Sequence, residues 1–235
     1  PDMVLTLLLD VGWLPATMVL LFPVCGARRR WLIAAFWIAA AGAVLAKGPP
    51  VLALMLAVPA MARWGGTSWS DAARLCWSIG VPAVVLVAAS WIVGVWWIDA
   101  GHLRDELWFN EIYGRVTGTG PEGSVRGPVD LVLGLFHMPF YAVVRFLPWS
   151  IVAIAGIGAL WRADRTQPLI RLLRSACIYG GVIIVFFSLS AGKRADYIAS
   201  MYAPASLLVA WTLLQAPWWR RIGRVAVPVA AVAVL

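Results

Sequence analysis

The sequence predicts an all-α membrane protein, a polytopic transmembrane bundle of about eight helices. Hydrophobic residues make up 62% of the 235-residue chain and charged residues only 13%, whereas soluble domains are roughly half apolar and a quarter charged. Several apolar runs reach or approach the length of about 20 residues that a helix needs to cross a bilayer. These runs are apolar on every face, so their backbone hydrogen bonds must close within each segment, as a helix allows.

Residues 1–235 form one transmembrane region, and one long outer-face loop, residues 99–139, interrupts it. Within that loop, Val129–Met138 has the composition of a short re-entrant or interfacial helix. Since the second and third segments have only about 16 and 12 residues at 1.5 Å each, their shared end is expected to lie below the headgroup plane. The predicted spans are Met3–Phe22, Trp31–Ala46, Pro50–Met61, Ile79–Trp97, Phe140–Trp161, Leu172–Ser190, Ile198–Gln215 and Ile222–Leu235.

The distribution of charge predicts the orientation of the bundle. The formal net charge is +8, but most of the basic residues lie in every second connection between the predicted spans. Such clustering follows the positive-inside rule and argues against a nucleic-acid partner. That set is assigned to the cytoplasm. It contains Arg28, Arg29, Arg30, Arg63, Arg74, Arg162, Arg165, Arg171, Arg174, Arg220, Arg221 and Arg224. The remaining cations lie on the outer side with nearly all of the acids.

Lys47 is the first of these outer cations that needs an explanation. It stands in the sequence LAKGPP between two apolar runs, where Gly48 permits a turn and the two prolines suit the start of the next helix. An intramembrane cation is costly unless it is solvated or paired. Lys47 is therefore either a lysine that extends its amine to the interface from a tight hairpin or a residue that binds an anion.

Other outer-face residues have a structural and a functional interpretation. Asp2 lies at the start of the first helix, where an acid is a helix cap or a general base. Glu111 and Arg115 have the spacing of a pair on one helix face. His137 is an interfacial hydrogen-bonding residue, a ligand or a base. Asp10 lies deeper in the first helix, and we interpret it as a packing residue because no neighbouring segment offers a basic partner.

The outer cations favour a phosphate ligand. Lys193 and Arg194 stand in the tight connection SAGKRADY, and two or three cations at the outer interface suit the phosphate or diphosphate of a lipid. If that phosphate leaves during a transfer reaction, the cations also stabilise the developing charge. Cys25, Cys76 and Cys177 form no CxxC motif, so neither a metal site nor a cofactor is predicted, and any dependence on a divalent metal stays open.

The order of these motifs resembles a known family. PDMVLT, LAKGPP, NEIYGR, HMPFYAVVRFLPWS and FSLSAGKRADYIASMYAP follow one another along the chain. The sequence is similar over about Pro1 to Trp211 to the polyprenyl-phosphate-dependent glycosyltransferases of the GT-C superfamily, specifically family 39 and the related lipid A aminoarabinose transferases. The resemblance implies that outer-face cations hold a lipid-phosphate sugar donor and that a carboxylate activates the acceptor.

The resemblance assigns roles to individual positions. It implies that Lys47, Lys193 and Arg194 contact the donor phosphate, and that Asp2, which matches the family's second outer-face Asp, lies near the reaction centre. Residues that line the cavity or contact the acceptor are implied to be Glu111, Arg115, His137 and Tyr197. Asp196 departs from the family pattern, in which an apolar or small residue more often precedes the Tyr.

The family's leading Asp-Glu motif is expected upstream of Pro1, so we expect the isolated chain to be an inactive fragment. The function implied is transfer of a sugar from a polyprenyl-phosphate-linked donor to a lipid, glycan or protein acceptor on the outer face of the inner membrane. A transporter or lipid flippase, whose interrupted helices and buried charges line a path, is the alternative. A non-catalytic membrane scaffold subunit is a second alternative.

Overall fold

The computed structural model describes residues 2–65, 69–98, 128–189 and 195–215, and within these ranges every regular element is helical. The prediction of an all-α polytopic bundle is confirmed. The helices are α1 (Asp2–Leu21), α2 (Gly26–Lys47), α3 (Val51–Trp64), α4 (Trp69–Ala73), α5 (Trp77–Ile98), α6 (Pro128–Arg145), α7 (Trp149–Arg162), α8 (Pro168–Leu189), a 3-10 helix (Ala195–Met201) and α9 (Tyr202–Gln215).

Five helical segments of the described residues are long and apolar enough to cross a membrane, or six if α6 and α7 count as one span. The five are Met3–Leu21, Gly26–Lys47, Trp77–Ile98, Pro168–Leu189 and Ile198–Gln215. Helix α3 has only 14 residues, so the prediction of a short third helix is confirmed. The predicted segment Ile222–Leu235 lies outside the described residues.

Helix α2 is longer than predicted. It has 22 residues rather than about 16 because it begins at Gly26 and includes the three arginines Arg28, Arg29 and Arg30. Arginine is a good helix former, and a run of three at a membrane boundary therefore need not end a helix. A 22-residue helix spans about 33 Å at 1.5 Å per residue, so the expectation that α2 is too short to cross the bilayer is wrong.

The predicted span Phe140–Trp161 is not one continuous helix. Helix α6 continues through Pro139 to Arg145, and the chain bends by 107° before α7 begins at Trp149. The break falls at Phe146–Pro148, where a residue preceding proline avoids the helical conformation and Pro148 suits a helix start. The predicted helix over Val129–Met138 is confirmed as part of α6. Phe146 stacks on Tyr202 with 5.3 Å between the ring centroids, which joins the bend to α9.

Helix α8 occupies the centre of the bundle. It packs against α1, α3, α6, α7, α9 and the 3-10 helix. Tyr179, Ile183 and Phe187 of α8 are buried in the main hydrophobic core. A buried polar contact joins three helices: the hydroxyls of Thr17 and Ser175 are 3.0 Å apart, and Ser175 donates to Met61 Sδ at 2.7 Å. Because α1, α3 and α8 share this contact, their relative heights in the bundle are fixed.

Helix α5 lies at the edge, where it packs against α2. Most of its large apolar side chains are exposed, among them Ile79, Leu86, Trp97 and Ile98. A bundle in water would bury such a surface, whereas a lipid environment covers it. The fold therefore has the outward-facing apolar surface of an integral membrane protein.

Candidate functional site

The α2–α3 turn is the centre of the candidate site, and we call the end of the bundle where it lies the Lys47 end. Helix α2 stops at Lys47, and Gly48 follows with φ +70°, a conformation that a residue with a Cβ adopts only with strain. The Gly48 N–H donates to Val44 O at 2.7 Å, and the N–H of Leu52 donates to Pro49 O at 2.9 Å. The turn is thus hydrogen bonded on both sides of the two prolines.

Lys47 lies in the last turn of α2 and is half-buried. A cation at a helix C-terminus is stabilised by the helix dipole, which is the structural explanation for a lysine at this position. Both interpretations of Lys47 that the sequence allows, a hairpin lysine and an anion contact, remain compatible with this geometry.

The start of α1 lies at the same end of the bundle. Helices α1 and α2 are antiparallel and packed along their length. A Cβ at Gly42 would lie 3.1 Å from the Leu8 side chain, so Gly42 of α2 and Leu8 of α1 lie at the same level along the bundle. Asp2 precedes Leu8 by about as many residues as Lys47 follows Gly42. The backbone of Asp2 and Lys47 therefore lies at one level.

The 3-10 helix Ala195–Met201 packs against α1, α6, α8 and α9. Ile198 and Met201 are buried in the main core beside α1 and α8. This helix begins one residue after Arg194 in the sequence. Tyr197 belongs to it. Glu111, Arg115, Lys193 and Arg194 lie outside the described residues, and the side chains of Asp2 and Tyr197 are likewise outside the description, so their roles stay predictions.

His137 is exposed on α6. Its ring centroid lies 5.5 Å from that of Tyr141, four residues later on the same helix. This contact is local to α6. His137 therefore has the surroundings of a surface or interfacial side chain, and its role toward an acceptor stays a prediction.

Sequence reasoning missed a polar cluster inside the bundle. The Tyr179 hydroxyl of α8 donates to Asp10 Oδ1 of α1 at 3.3 Å, and the Tyr179 ring stacks on Trp13 with 5.3 Å between centroids. Tyr179 and Trp13 are buried, and Asp10 is half-buried. Asp10 thus packs as expected, but through a neutral hydrogen-bond donor. A lone tyrosine in the apolar run CIYGG was the available signal.

The structure also assigns a role to one of the predicted cytoplasmic arginines. Arg174 is only 2% exposed, and its guanidinium donates to the carbonyl oxygens of Leu160, Trp161 and Ala163 at the end of α7. The guanidinium carbon also lies 5.2 Å from the centre of the Trp161 ring. Arg174 is therefore a helix cap inside the protein rather than a charge that only sets the orientation.

The opposite end of the bundle, which carries the arginines of α2, α3 and α7, has an open cavity at the α1–α2 turn. Its volume is about 410 Å³, and it is lined by Met18, Phe22, Pro23, Val24, Cys25 and Arg28. Its one charged lining residue is Arg28, so the cavity does not share the predicted donor site. No group of three or more His, Cys, Asp or Glu side chains that could hold a metal ion occurs among the described residues.

Comparison with known proteins gives three relatives with the same description. The chain is 28% identical over 138 residues to the undecaprenyl phosphate-alpha-4-amino-4-deoxy-L-arabinose arabinosyl transferase of Pseudomonas aeruginosa, in strains LESB58, UCBPP-PA14 and PAO1. The match covers 59% of this chain and 23% of each relative, so the chain spans about a quarter of its relatives' length. No protein-family model matches the chain, and no solved structure matches it significantly.

The fold and the comparison lead to the same coarse conclusion. The helices are those of an integral membrane protein, and the matched relatives are undecaprenyl-phosphate-aminoarabinose arabinosyl transferases. The chain is a membrane protein distantly similar to a polyprenyl-phosphate-dependent glycosyltransferase.

Proposed function

We propose that this chain is part of a membrane glycosyltransferase that moves a sugar from a polyprenyl-phosphate-linked donor to a lipid, glycan or protein acceptor. The reaction would take place at the Lys47 end, on the outer face of the inner membrane. The sugar would leave the phosphate oxygen of the donor, and an acceptor hydroxyl would form the new glycosidic bond. The distant similarity to the aminoarabinose transferases supports the donor class.

The observation that supports the proposal is that the start of α1, the end of α2 and the 3-10 helix lie toward one end of the bundle. Lys47 ends α2 at the level where α1 begins with Asp2, and the 3-10 helix that follows Lys193 and Arg194 packs against α1. A phosphate at this end would meet Lys47, and the polyprenyl tail would extend along the exposed apolar helices. Cations in such a site stabilise the negative charge that grows on the leaving phosphate.

Each residue would have a separate task. Lys47, with Lys193 and Arg194, would bind the donor phosphate. Asp2 would lie near the reaction centre, where a carboxylate takes the proton of the attacking hydroxyl. Glu111, Arg115, His137 and Tyr197 would shape the acceptor side of the cavity. A phosphate leaving group requires no acid to protonate it, so no residue is assigned as a general acid on the donor side.

The test is sugar transfer by the complete protein that contains this chain, purified and reconstituted with an undecaprenyl-phosphate-linked sugar and an acceptor lipid. Lys47→Ala is expected to lower the transfer rate about 100-fold, the size of effect seen when one donor to a developing anion is removed. Lys47→Arg keeps a cation at this position and is expected to retain most of the activity, measured as labelled sugar in the acceptor.

The matched control is Arg63→Ala. Arg63 is an exposed cation in the last turn of α3, at the opposite end of the bundle, so this variant loses the same charge without touching the candidate site. Normal insertion and melting temperature of both variants establish that the protein is folded. Wild-type transfer by Lys47→Ala would remove Lys47 from the donor site and with it the main support for the proposal.

A further inference from the structure

The end of the bundle opposite Lys47 carries more cations than its own acids can neutralise. The structure describes two acids there, and both are engaged. Asp71 pairs with Arg74 at 2.9 Å, and Asp164 accepts hydrogen bonds from the backbone N–H and the hydroxyl of Thr166. The other arginines on this end have no carboxylate partner within the described part of the chain: Arg28, Arg29, Arg30, Arg63, Arg162, Arg165, Arg171 and Arg174. This end therefore suits an anionic partner from outside the protein.

The three consecutive arginines of α2 have different surroundings. Arg29 is half-buried, and its guanidinium donates to Arg74 O at 3.2 Å, so it joins α2 to the segment that precedes α5. Arg28 and Arg30 are both exposed. Arg28 lines the open cavity at the α1–α2 turn, whereas Arg30 is not among the lining residues. Two neighbouring arginines of equal charge thus differ in their relation to the cavity.

The cavity joins this cation to apolar walls. Its volume of about 410 Å³ lies within the range of roughly 300–1,000 Å³ that is common for small-molecule sites. Beside Arg28, the lining includes the apolar side chains of Met18, Phe22 and Val24. A free inorganic anion gains nothing from such walls. A molecule that carries both a phosphate and a hydrocarbon part can use the arginine and the walls together.

The position of the cavity along the bundle favours a lipid. It lies at the turn between Met3–Leu21 and Gly26–Lys47, two helices that are long and apolar enough to cross a membrane. A turn between two adjacent spans lies at the boundary between hydrocarbon and water. Arg28 follows Gly26 by two residues, about 3 Å along the helix axis. Its guanidinium is therefore within reach of the headgroup layer, where a planar fork of donors suits phosphate oxygens.

We propose that the cavity at the α1–α2 turn binds an anionic phospholipid from the surrounding leaflet. The phosphate contacts Arg28, and the glycerol and the upper part of an acyl chain lie against Met18, Phe22 and Val24. Basic pockets beside transmembrane helices are a known means of binding anionic headgroups. This site is separate from the Lys47 end, and its existence does not depend on the proposed function.

The test uses Cys25, an exposed residue that lines the same cavity. The complete protein is purified in a neutral detergent with all its other cysteines replaced, and the rate at which a water-soluble maleimide modifies Cys25 is measured. Added phosphatidylglycerol is expected to slow this reaction several-fold, because the bound lipid covers the thiol. Phosphatidylcholine and inorganic phosphate, each added alone, are expected to leave the rate unchanged.

Two variants distinguish a built site from the general attraction of a basic surface for anionic lipid. Arg28→Ala is expected to raise the phosphatidylglycerol concentration needed for half-maximal protection about tenfold, the equivalent of one charge-assisted hydrogen bond. Arg30→Ala removes the same charge two residues further along α2 and is expected to keep nearly wild-type protection. Both positions are exposed, so unchanged melting temperatures are expected and establish that the variants are folded.

The other outcomes each overturn the proposal. An equal loss of protection in Arg28→Ala and Arg30→Ala would identify a diffuse attraction of charge without a site. Equal protection by phosphatidylcholine would identify an apolar crevice with no preference for an anion, and protection by inorganic phosphate would identify a site for a free anion. Unprotected Cys25 in the wild-type protein would show that the cavity holds no lipid. Because the readout is independent of sugar transfer, a failure here and a failure of the proposed function are distinguishable.

Discussion

Arg174 shows how much a single buried residue contributes beyond its charge. Its planar guanidinium reaches three carbonyl oxygens at the end of α7, a region where helix carbonyls have no partner within the helix. Arginine can do this because its donors form a rigid fork. The residue thereby fixes the end of α7 to α8, the central helix of the bundle.

Replacing Arg174 should weaken the fold. Arg174→Met leaves these carbonyls without their donor, and we expect the free energy of unfolding to fall by about 1–3 kcal/mol. The melting temperature in detergent would then fall by several degrees. Arg174→Lys should recover part of the loss. Arg165→Met, at an exposed position in the nearby α7–α8 connection, is the control, and an equal fall in that variant would show that only the loss of charge matters.

The residue scale also shows what the sequence could not predict. Asp10 and Tyr179 are 169 residues apart, and nothing in either segment identifies the other as its partner. The search for a basic partner of Asp10 failed because the partner is a neutral hydroxyl. By contrast, the turn at Lys47 was predictable, since Gly48 and the two prolines determine its local conformation.

At the scale of elements, the edge helix α5 and helix α2 approach each other closely at Gly80. Gly80 faces the indole ring of Trp37, and a Cβ at position 80 would overlap that ring. The Trp37 Nε1–H also donates to Leu75 O at 2.7 Å. Because the ring is held by this hydrogen bond, it cannot move aside without losing a buried contact.

Two glycines of the same helix provide a matched test of this packing. Gly80→Ala should destabilise the protein by roughly 1–3 kcal/mol, the cost of overpacking a filled interior. Gly94→Ala has nothing within 4 Å of the new Cβ and should be neutral or slightly stabilising, because alanine favours helix more than glycine does. Thermal unfolding in detergent compares them. Equal melting temperatures for the two variants would contradict the close contact at Gly80.

The element boundaries mark where sequence reasoning succeeded and where it failed. Apolar composition identified α1, α5 and α8 because their predicted spans are long and contain at most one charged residue each. The predicted length of α2 was too short, because the three arginines were assigned to a connection although they belong to the helix. Apolar composition also missed the 107° bend after Arg145, although the pair Leu147-Pro148 was a local signal for it.

At the scale of the whole molecule, antiparallel packing brings the start of α1, the α2–α3 turn and the 3-10 helix toward one end, while the arginines of α2, α3 and α7 lie at the other. This polarity agrees with the charge distribution of the sequence. The all-α bundle was therefore predictable from composition. The packing of the other helices around α8 was not predictable, because it depends on contacts between segments that are distant in the sequence.

The central claim is that this protein breaks the bond between a sugar and a polyprenyl phosphate. The most direct measurement is the release of polyprenyl phosphate from an undecaprenyl-phosphate-linked sugar by proteoliposomes that contain the complete wild-type protein, with acceptor glycosylation followed in the same samples. We predict that one polyprenyl phosphate appears for each sugar transferred. Movement of the intact donor across the bilayer without release of polyprenyl phosphate would contradict the claim and identify a flippase instead.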